Sequence, residues 1–192
     1  MYLNKFFFNI ILGSSSPRRN ELLKSLGFDF VINPSNADEN YPLNLKGHEI
    51  PVFLAEKKAL SFNGVLTETD LLITADTIVW CEGEIFNKPI NFEEGKLMLQ
   101  TLSGKMHEVF TAVCLKSANK QIIFYDATKV YFKKFTNEEI EYYLNKYKPY
   151  DKAGSYGVQE WIGYIGIEKI EGSFYNVMGL PVKKLHEELM KF

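Results

Sequence analysis

Two hydrophobic patterns alternate along the chain: continuous apolar runs typical of buried strands, and apolar residues three or four positions apart, typical of amphipathic helices. The apolar runs predict strands over 6–12, 71–80, 84–86, 106–116, 121–133 and 161–170. The helical spacing predicts helices over 17–26, 50–63, about 91–103, about 136–147 and 182–191. This mixture of elements predicts an α/β fold with a mixed sheet.

Capping residues mark the ends of several predicted helices. For helix 17–26, Ser16 fits the N-cap, Pro17 fits the first helical position, and Gly27 follows the last turn. Two later helix starts have the three-residue spacing of a capping box, Asn91 with Glu94 and Thr136 with Glu139. The first strand, a serine-rich turn and the first helix therefore follow one another directly.

Composition and charge narrow the class of protein. The 192 residues allow one compact domain or two small lobes, and 46% hydrophobic residues are ample for a core. The net charge of -2 lacks the basic footprint of a duplex-binding protein. Bulk nucleic-acid binding is therefore disfavoured, although a local basic patch around a phosphate stays open.

Other features argue against secretion, membrane anchoring and zinc. The apolar stretch at 6–12 is too short to span a bilayer and lacks a cleavage site of the secretory type, so we interpret it as a buried strand. Cys81 and Cys114 are too few for a disulfide framework, which favours reduced, buried thiols in a cytoplasmic protein. The three histidines have no zinc-ligand spacing.

The segment 13–19, GSSSPRR, joins the first predicted strand to the first helix and is the first candidate for chemistry. A helix N-terminus attracts anions and disfavours cations, so Arg18 and Arg19 oppose the helix dipole there. An anion would resolve the conflict, and serine hydroxyls with guanidinium groups are suitable donors to phosphate oxygens. The alternative is a capped helix with two solvated arginines.

Asp76 lies inside the strongly apolar run 71–80. Burying its carboxylate costs several kcal/mol unless the group is hydrogen-bonded, paired or bound to a metal. Ligands collect near strand ends in α/β sheets, and magnesium with phosphate oxygens is a natural partner for a carboxylate there. A structural ion pair is the alternative.

Charged pairs occur on and before the second predicted helix. Lys58 shares a helical face with Leu54 and Phe62 and could point inward, but periodicity does not separate it cleanly from Lys57. A solvated lysine pair is the alternative. The preceding Asp38-Glu39 pair of carboxylates reads equally well as surface charge.

Two glycine-containing loops complete the set, 151–159, which ends in Gln159, and 171–181. Glycines permit close backbone approach to a ligand, and they also serve ordinary tight turns. The chain has no P-loop, no dinucleotide-binding glycine fingerprint and no esterase nucleophile elbow. Kinases of the P-loop type, dinucleotide enzymes and esterases are therefore disfavoured.

Taken in order, these segments resemble the Maf family of nucleoside triphosphate pyrophosphatases. The resemblance runs from residue 11 to residue 181, nearly the whole chain. Its motifs are SPRR at 16–19, ADTIV at 75–79, NKP at 87–89, LSG at 102–104, DKAG at 151–154 and YGVQ at 156–159. Several unrelated loops matching in order make a specific signal.

The resemblance implies hydrolysis between the α- and β-phosphates of a nucleoside triphosphate, with a divalent cation such as magnesium or manganese. It implies one domain over 1–192, an elongated α/β fold with two lobes around a deep cleft, related to inosine triphosphate pyrophosphatases. Asp76 would be the proton acceptor, Glu39 and Asp76 the metal ligands, and Lys58 a catalytic contact. The remaining substrate contacts would be Ser14, Ser16, Arg18, Arg19 and Lys88.

Within the family, ADT at 75–77 and the YGVQ motif resemble the branch that acts on dTTP and UTP. The resemblance assigns specificity to Arg18, Thr77 and Gln159, whose donors and acceptor suit a uracil or thymine edge. Three positions depart from the usual pattern, Gly13, Tyr150 and Glu160. Glu160 stands where glycine is usual and adds a negative charge near the expected base pocket.

Two other functions stay open. A binding or regulatory protein of cell division would sense the nucleotide without turning it over, a reading suggested by the family's link with septum formation. A nucleic-acid-binding module is the second, opposed by the net charge. Homodimers are usual in this family, so a homodimer is possible, and neither a nucleic acid nor a membrane is expected as a partner of the protein.

Overall fold

Seven strands and seven helices make up residues 7–192, the part of the chain that this computed structural model describes. The strands are β1 (Asn9–Leu12), β2 (Phe30–Ile32), β3 (Asp70–Cys81), β4 (Glu84–Phe86), β5 (Met106–Lys116), β6 (Gln121–Phe132) and β7 (Ile167–Glu171). The helices are α1 (Pro17–Ser25), α2 (Glu49–Leu60), α3 (Phe92–Leu102), α4 (Asn137–Tyr147), α5 (Trp161–Gly166), α6 (Phe174–Met178) and α7 (Val182–Leu189).

The strands form one mixed sheet in the order β2-β1-β3-β5-β6-β7, and β4 pairs with β3. Strand β1 is parallel to both β2 and β3, whereas β3–β4 and β6–β7 are antiparallel. The predicted α/β class with a mixed sheet is confirmed. Pairing of β1 with β3 ends at Leu12 opposite Ile73, so the serine-rich turn leaves β1 next to the segment of β3 that contains Asp76.

The chain divides into two compact units. The first contains the described residues up to Asp76, with Thr111–Asp126 and Gly179–Phe192. The second contains Thr77–Phe110 and Ala127–Met178.

Small side chains bring helix α2 close to the sheet in the first unit. Ala55 and Ala59 of α2 pack with Leu72 of β3 and Ala112 of β5 in one buried cluster. The Thr74 hydroxyl donates a hydrogen bond to the Ala55 carbonyl (2.6 Å), which ties α2 to β3. Lys58, one turn further along α2, is thereby held beside β3.

The core of the second unit contains a buried histidine among aromatic rings. His107 is 1% exposed and packs against Phe132 and Tyr156. Its Nε2 lies 2.7 Å from the Tyr156 hydroxyl, and its Nδ1 has no hydrogen-bond partner among residues 7–192. Burial lowers the pKa of His107 to about 3, so the ring is neutral in the folded protein.

The predicted strand 161–170 is wrong in its first half, where the chain forms helix α5 before β7. The Gly163 and Tyr164 N–H groups donate to the Glu160 carbonyl and start the helix. A Cβ at Gly163 would lie 2.1 Å from the Val158 carbonyl oxygen, so glycine is required for this packing. The apolar residues at the start of this segment suggested a strand, but the close packing of Gly163 against the Val158 carbonyl, five residues earlier, goes with a helix.

Most other boundaries agree with the sequence within a few residues. Ser16 caps α1, and the Thr136–Glu139 capping box is complete. At α3 the box is one-sided, because the Glu94 carboxylate accepts from the Ile90 N–H. The short elements β2 and α6 were not predicted, and a 3-10 turn occupies Ala153–Ser155 in the predicted loop.

The first predicted strand is confirmed over β1, and its residue 6 lies outside the described residues. Cys81 and Cys114 are buried and carry free thiols, as predicted. Within residues 7–192, no helix combines the length and the apolar character needed to cross a bilayer.

We expect His107 to make the protein sensitive to mild acid. The unfolded chain takes up a proton below the ordinary histidine pKa of about 6.5 and the folded chain does not, so stability is present above that pH and lost below it. The loss should be about 1.4 kcal/mol per pH unit. Urea unfolding at pH 7 and pH 5 should show it, and His107→Gln should reduce it. Equal losses in both proteins would contradict the assignment.

Candidate active site

The site begins with a carboxylate in the apolar strand β3. Asp76 is only 7% exposed, and both of its neighbours along the strand are uncharged. Its Oδ1 lies 2.5 Å from Nζ of Lys58, whose side chain is 14% exposed. The buried carboxylate is therefore paired with a lysine that is itself nearly buried, which reduces the cost of removing both charges from water.

The two adjacent lysines of α2 have different partners. Lys58 Nζ contacts Glu39 Oε1 at 3.2 Å as well as Asp76. Lys57 Nζ contacts Asp38 Oδ1 at 2.6 Å and the carbonyl of Asn40 at 2.8 Å. Periodicity left the two lysines unresolved, and the structure selects Lys58 as the one that reaches Asp76. The Asp38-Glu39 pair is not simple surface charge, because each carboxylate binds a different lysine.

Arg19 is held in place by backbone carbonyls. Its Nε donates to the Gly179 carbonyl (2.9 Å), and one terminal nitrogen donates to the Ala75 carbonyl (2.8 Å) and to the Ser14 hydroxyl (3.3 Å). The Ser16 hydroxyl caps α1 by accepting from the Arg19 N–H (3.5 Å). The alternative of two solvated arginines is therefore wrong for Arg19, whose guanidinium is bound to the carbonyls of Ala75 and Gly179.

Burial sets the protonation behaviour of this cluster. Burial raises the pKa of the Asp76 carboxyl, while Lys58 and Arg19 oppose the rise and the Glu39 charge adds to it. Burial also lowers the pKa of Arg19. The negative charge of Asp76 partly offsets this lowering, and the positive charge of the half-buried Arg18 adds to it. A carboxylate with a raised pKa is better matched to accepting a proton near neutral pH than an ordinary exposed aspartate.

The Asp76 and Glu39 carboxylates suit one hard cation that takes its remaining ligands from phosphates and water. Among residues 7–192, no group of three or more His, Cys, Asp or Glu side chains is arranged to hold a metal. Asp76 and Glu39 nevertheless converge on the same point, since one oxygen of each lies within 3.2 Å of Lys58 Nζ. Magnesium commonly uses one or two carboxylates and takes its remaining ligands from phosphates and water, so this pair fits it.

Three other predicted residues belong to the second unit. Thr77 follows Asp76 in β3 and is half-buried, Lys88 is exposed after β4, and Gln159 is half-buried. The structure thus brings together Asp76, Lys58, Glu39, Arg19 and Ser14, and the part that the second-unit residues play in the site stays a prediction.

Sequence reasoning missed Thr74 as a positioning residue. Its buried hydroxyl holds the Ala55 carbonyl of α2 one helical turn before Lys58. The available signal was a hydroxyl inside the apolar run 71–80, two residues before Asp76, so that both side chains lie on the same face of β3.

The fold and these side chains define a mixed α/β protein with a buried acid–lysine pair beside an anchored arginine. The family described as Maf-like protein matches residues 9–192. The chain belongs to the Maf family.

Curated relatives match over nearly their whole length. The dTTP/UTP pyrophosphatase of Bacteroides thetaiotaomicron is 51% identical over 185 residues, covering 96% of each chain. That of Parabacteroides distasonis is 51% identical over 186 residues, again covering 96% of each chain. That of Flavobacterium johnsoniae is 48% identical over 182 residues, covering 95% of this chain and 94% of the relative.

Among solved structures, the Staphylococcus aureus Ham1 protein is similar at a TM-score of 0.43 and 12% identity, covering 65% of this chain and 71% of that one. A likeness this weak carries no argument about fold or function.

We expect Lys58→Met to be far more destabilising than Lys57→Met. The first leaves the Asp76 carboxylate buried without its lysine, which typically costs about 3 kcal/mol or more. Without the ammonium the pKa of Asp76 rises further above its unfolded value, so the folded state holds a proton and the loss is smaller at pH 5 than at pH 8. Lys57 pairs with an exposed carboxylate and is the matched control.

Urea unfolding of both variants at the two pH values measures the difference. A similar loss of stability for the two lysine variants would contradict this account of the Asp76–Lys58 pair. So would a loss in Lys58→Met that is the same at pH 5 and pH 8.

Proposed function

We propose that this protein is a nucleoside triphosphate pyrophosphatase that hydrolyses dTTP and UTP, and modified uridine or thymidine triphosphates, to the monophosphate and pyrophosphate. The names of curated relatives at about half identity support the substrate class. The observation that carries the chemistry is the buried Asp76 carboxylate, which has a raised pKa and lies in contact with Lys58.

Asp76 is proposed as the proton acceptor. Its Oδ1 is engaged by Lys58, and its position near the end of the β1–β3 pairing is where ligands collect in sheets of this kind. A carboxylate with a raised pKa there would orient the attacking water and take its proton while the water attacks the α-phosphorus.

The cations are proposed to stabilise the phosphate charge that develops during attack. Lys58 contacts the Asp76 carboxylate, and Arg19 donates to the carbonyl of the preceding Ala75, so both cations are oriented before the substrate arrives. Ser14 and Ser16 add hydroxyls in the turn before α1, and Arg18 follows them. Lys88 is proposed as a further phosphate contact on the strength of the family resemblance.

Glu39 and Asp76 are proposed to hold a divalent cation, magnesium or manganese. When bound, such an ion polarises phosphate oxygens and neutralises part of their charge. Lys58 Nζ contacts both carboxylates, which places one oxygen of each close to a common point. Asp76 would thus serve both the cation and the water.

Arg18, Thr77 and Gln159 are proposed to select the base. The side-chain Oε1 of Gln159 is buried and has no hydrogen-bond partner among the described residues. A uracil or thymine ring offers an N–H donor to such an acceptor, whereas the corresponding ring nitrogen of cytosine is itself an acceptor. The amide therefore favours uracil and thymine over cytosine.

A panel of canonical and modified triphosphates, assayed for monophosphate and pyrophosphate, tests the proposal. We expect rapid release of pyrophosphate from UTP and dTTP, slower release from CTP, and loss of activity in EDTA that added magnesium restores. Equal rates on CTP and UTP would overturn the specificity and leave the reaction intact. Tight nucleotide binding without pyrophosphate release would instead favour a regulatory protein that senses nucleotides.

We expect Asp76→Asn to reduce kcat by about 10²-fold or more, the usual contribution of a positioned general base, while KM for UTP changes much less. The substitution leaves the nearly buried Lys58 paired with Glu39 alone, so we expect a moderate loss of stability in a variant that still folds. Steady-state kinetics measure kcat and KM, and a thermal melt measures the stability of the variant. More than about a tenth of normal kcat would contradict the role of Asp76 as base.

A further inference from the structure

The turn 157–160 of the second unit is closed by a ring of hydrogen bonds around Gln159. The Gly157 N–H donates to the Tyr143 hydroxyl (3.0 Å), and that hydroxyl donates to the Glu160 carboxylate. The backbone closes the ring, because the Glu160 N–H donates to the Gly157 carbonyl (3.0 Å). Tyr143 is fully buried in α4, so the turn is anchored to that helix.

The charge of Glu160 is compensated inside the second unit. Its Oε1 lies 3.1 Å from Nζ of Lys152, which also contacts Asp151 at 2.7 Å. The Lys152 side chain is 11% exposed, and a nearly buried ammonium needs such partners. Burial and the Glu160 contact raise the pKa of Tyr143, which keeps its hydroxyl protonated as the donor. The negative charge expected near the base pocket is thus paired with Lys152, which Glu160 shares with Asp151.

The placement of Glu160 in the chain singles it out. It occupies the N-cap of α5, where a short polar side chain would bond to the first turn, yet its side chain makes no capping hydrogen bond. The carboxylate is directed instead to Tyr143 and Lys152.

The side-chain amide of Gln159 depends on its backbone for its position. Its Oε1 has no hydrogen-bond partner among residues 7–192, whereas its carbonyl accepts from the Tyr164 hydroxyl (2.5 Å). A buried acceptor without a partner is costly unless a ligand supplies a donor. Whatever fixes the backbone of the turn therefore fixes where that acceptor is presented.

We propose that Glu160 is a positioning residue for base selection: through Tyr143 and Lys152 it fixes the turn 157–160, so that the Gln159 amide meets a base with an N–H donor. The inference rests on the proposed function and deepens it. Glu160 acts through Gln159 and is not itself a contact of the base.

Steady-state release of pyrophosphate from UTP and CTP tests this in Glu160→Ala and Glu160→Gln. We expect Glu160→Ala to raise KM for UTP about fivefold to tenfold, the loss of one hydrogen bond, with kcat and the CTP parameters changed by less than about twofold. Glu160→Gln keeps an acceptor for Tyr143 and loses the charge that pairs with Lys152, so it should restore part of the loss.

A double-mutant cycle with Gln159→Ala separates positioning from general stability. Once the amide is gone, Glu160→Ala should change KM for UTP by less than about twofold, because the two residues act through one contact. A merely structural role predicts the same loss in both backgrounds and on both nucleotides, which would overturn the proposal.

Glu141→Gln is the matched control. Like Glu160→Gln, it changes a carboxylate to an amide, but it does so on α4, the helix that contains Tyr143. It removes the ion pair between Glu141 and Lys96 (2.5 Å). Its ratio of UTP to CTP kcat/KM should match the wild type. A shift like that of Glu160→Gln would show that any charge lost near α4 has this effect and would overturn the proposal.

Titration calorimetry with uridine and cytidine monophosphates gives a readout that needs no turnover. Glu160→Ala should weaken uridine monophosphate about fivefold to tenfold and cytidine monophosphate by less than about twofold. Equal weakening of both overturns the role of Glu160. A wild type that releases no pyrophosphate overturns the proposed function instead, so the two failures are distinguishable.

Discussion

A carboxylate inside an apolar strand is stable only if nearby charges and donors replace the water that it loses, and much of the first unit is arranged around that requirement at Asp76. Helix α2 lies close to β3 because its facing side chains are alanines and because Thr74 binds its backbone. That proximity lets Lys58 reach the carboxylate, while Arg19 is turned toward the sheet by carbonyl oxygens. The same requirement recurs in the second unit, where Lys152 is accommodated by two carboxylates.

Local signals were sufficient for the long elements of the fold. Strand β3 was predicted because the run 71–80 has few polar side chains and leaves little alternative, and α1 because Ser16 and Pro17 specify its start. The first half of segment 161–170 was mispredicted because its apolar residues suit a strand as well as a helix, and the close approach of Gly163 to the Val158 carbonyl is visible only in the folded turn. Short β2 was missed for a related reason, since three residues carry too little periodicity to stand out.

The site was predictable where a residue type conflicted with its surroundings. Asp76 in an apolar run and Arg19 at a helix N-terminus both required compensation, and the structure supplies it for each. The choice of Lys58 was not decidable from spacing, because adjacent positions on a helix differ by only 100° and loop 38–40 offers a carboxylate to each lysine. The importance of Glu160 depends on Tyr143, which is distant enough in sequence that no motif joins them.

The two free cysteines have a practical consequence. Cys114 lies in the first-unit core, and burial raises the pKa of its thiol to about 12; Cys81 is also buried, and its pKa is raised as well. Almost no thiolate exists at neutral pH in either case, and the thiolate is the species that alkylating reagents and oxidants attack. A cysteine introduced at an exposed position would therefore be labelled selectively by a maleimide dye, without first replacing the native pair.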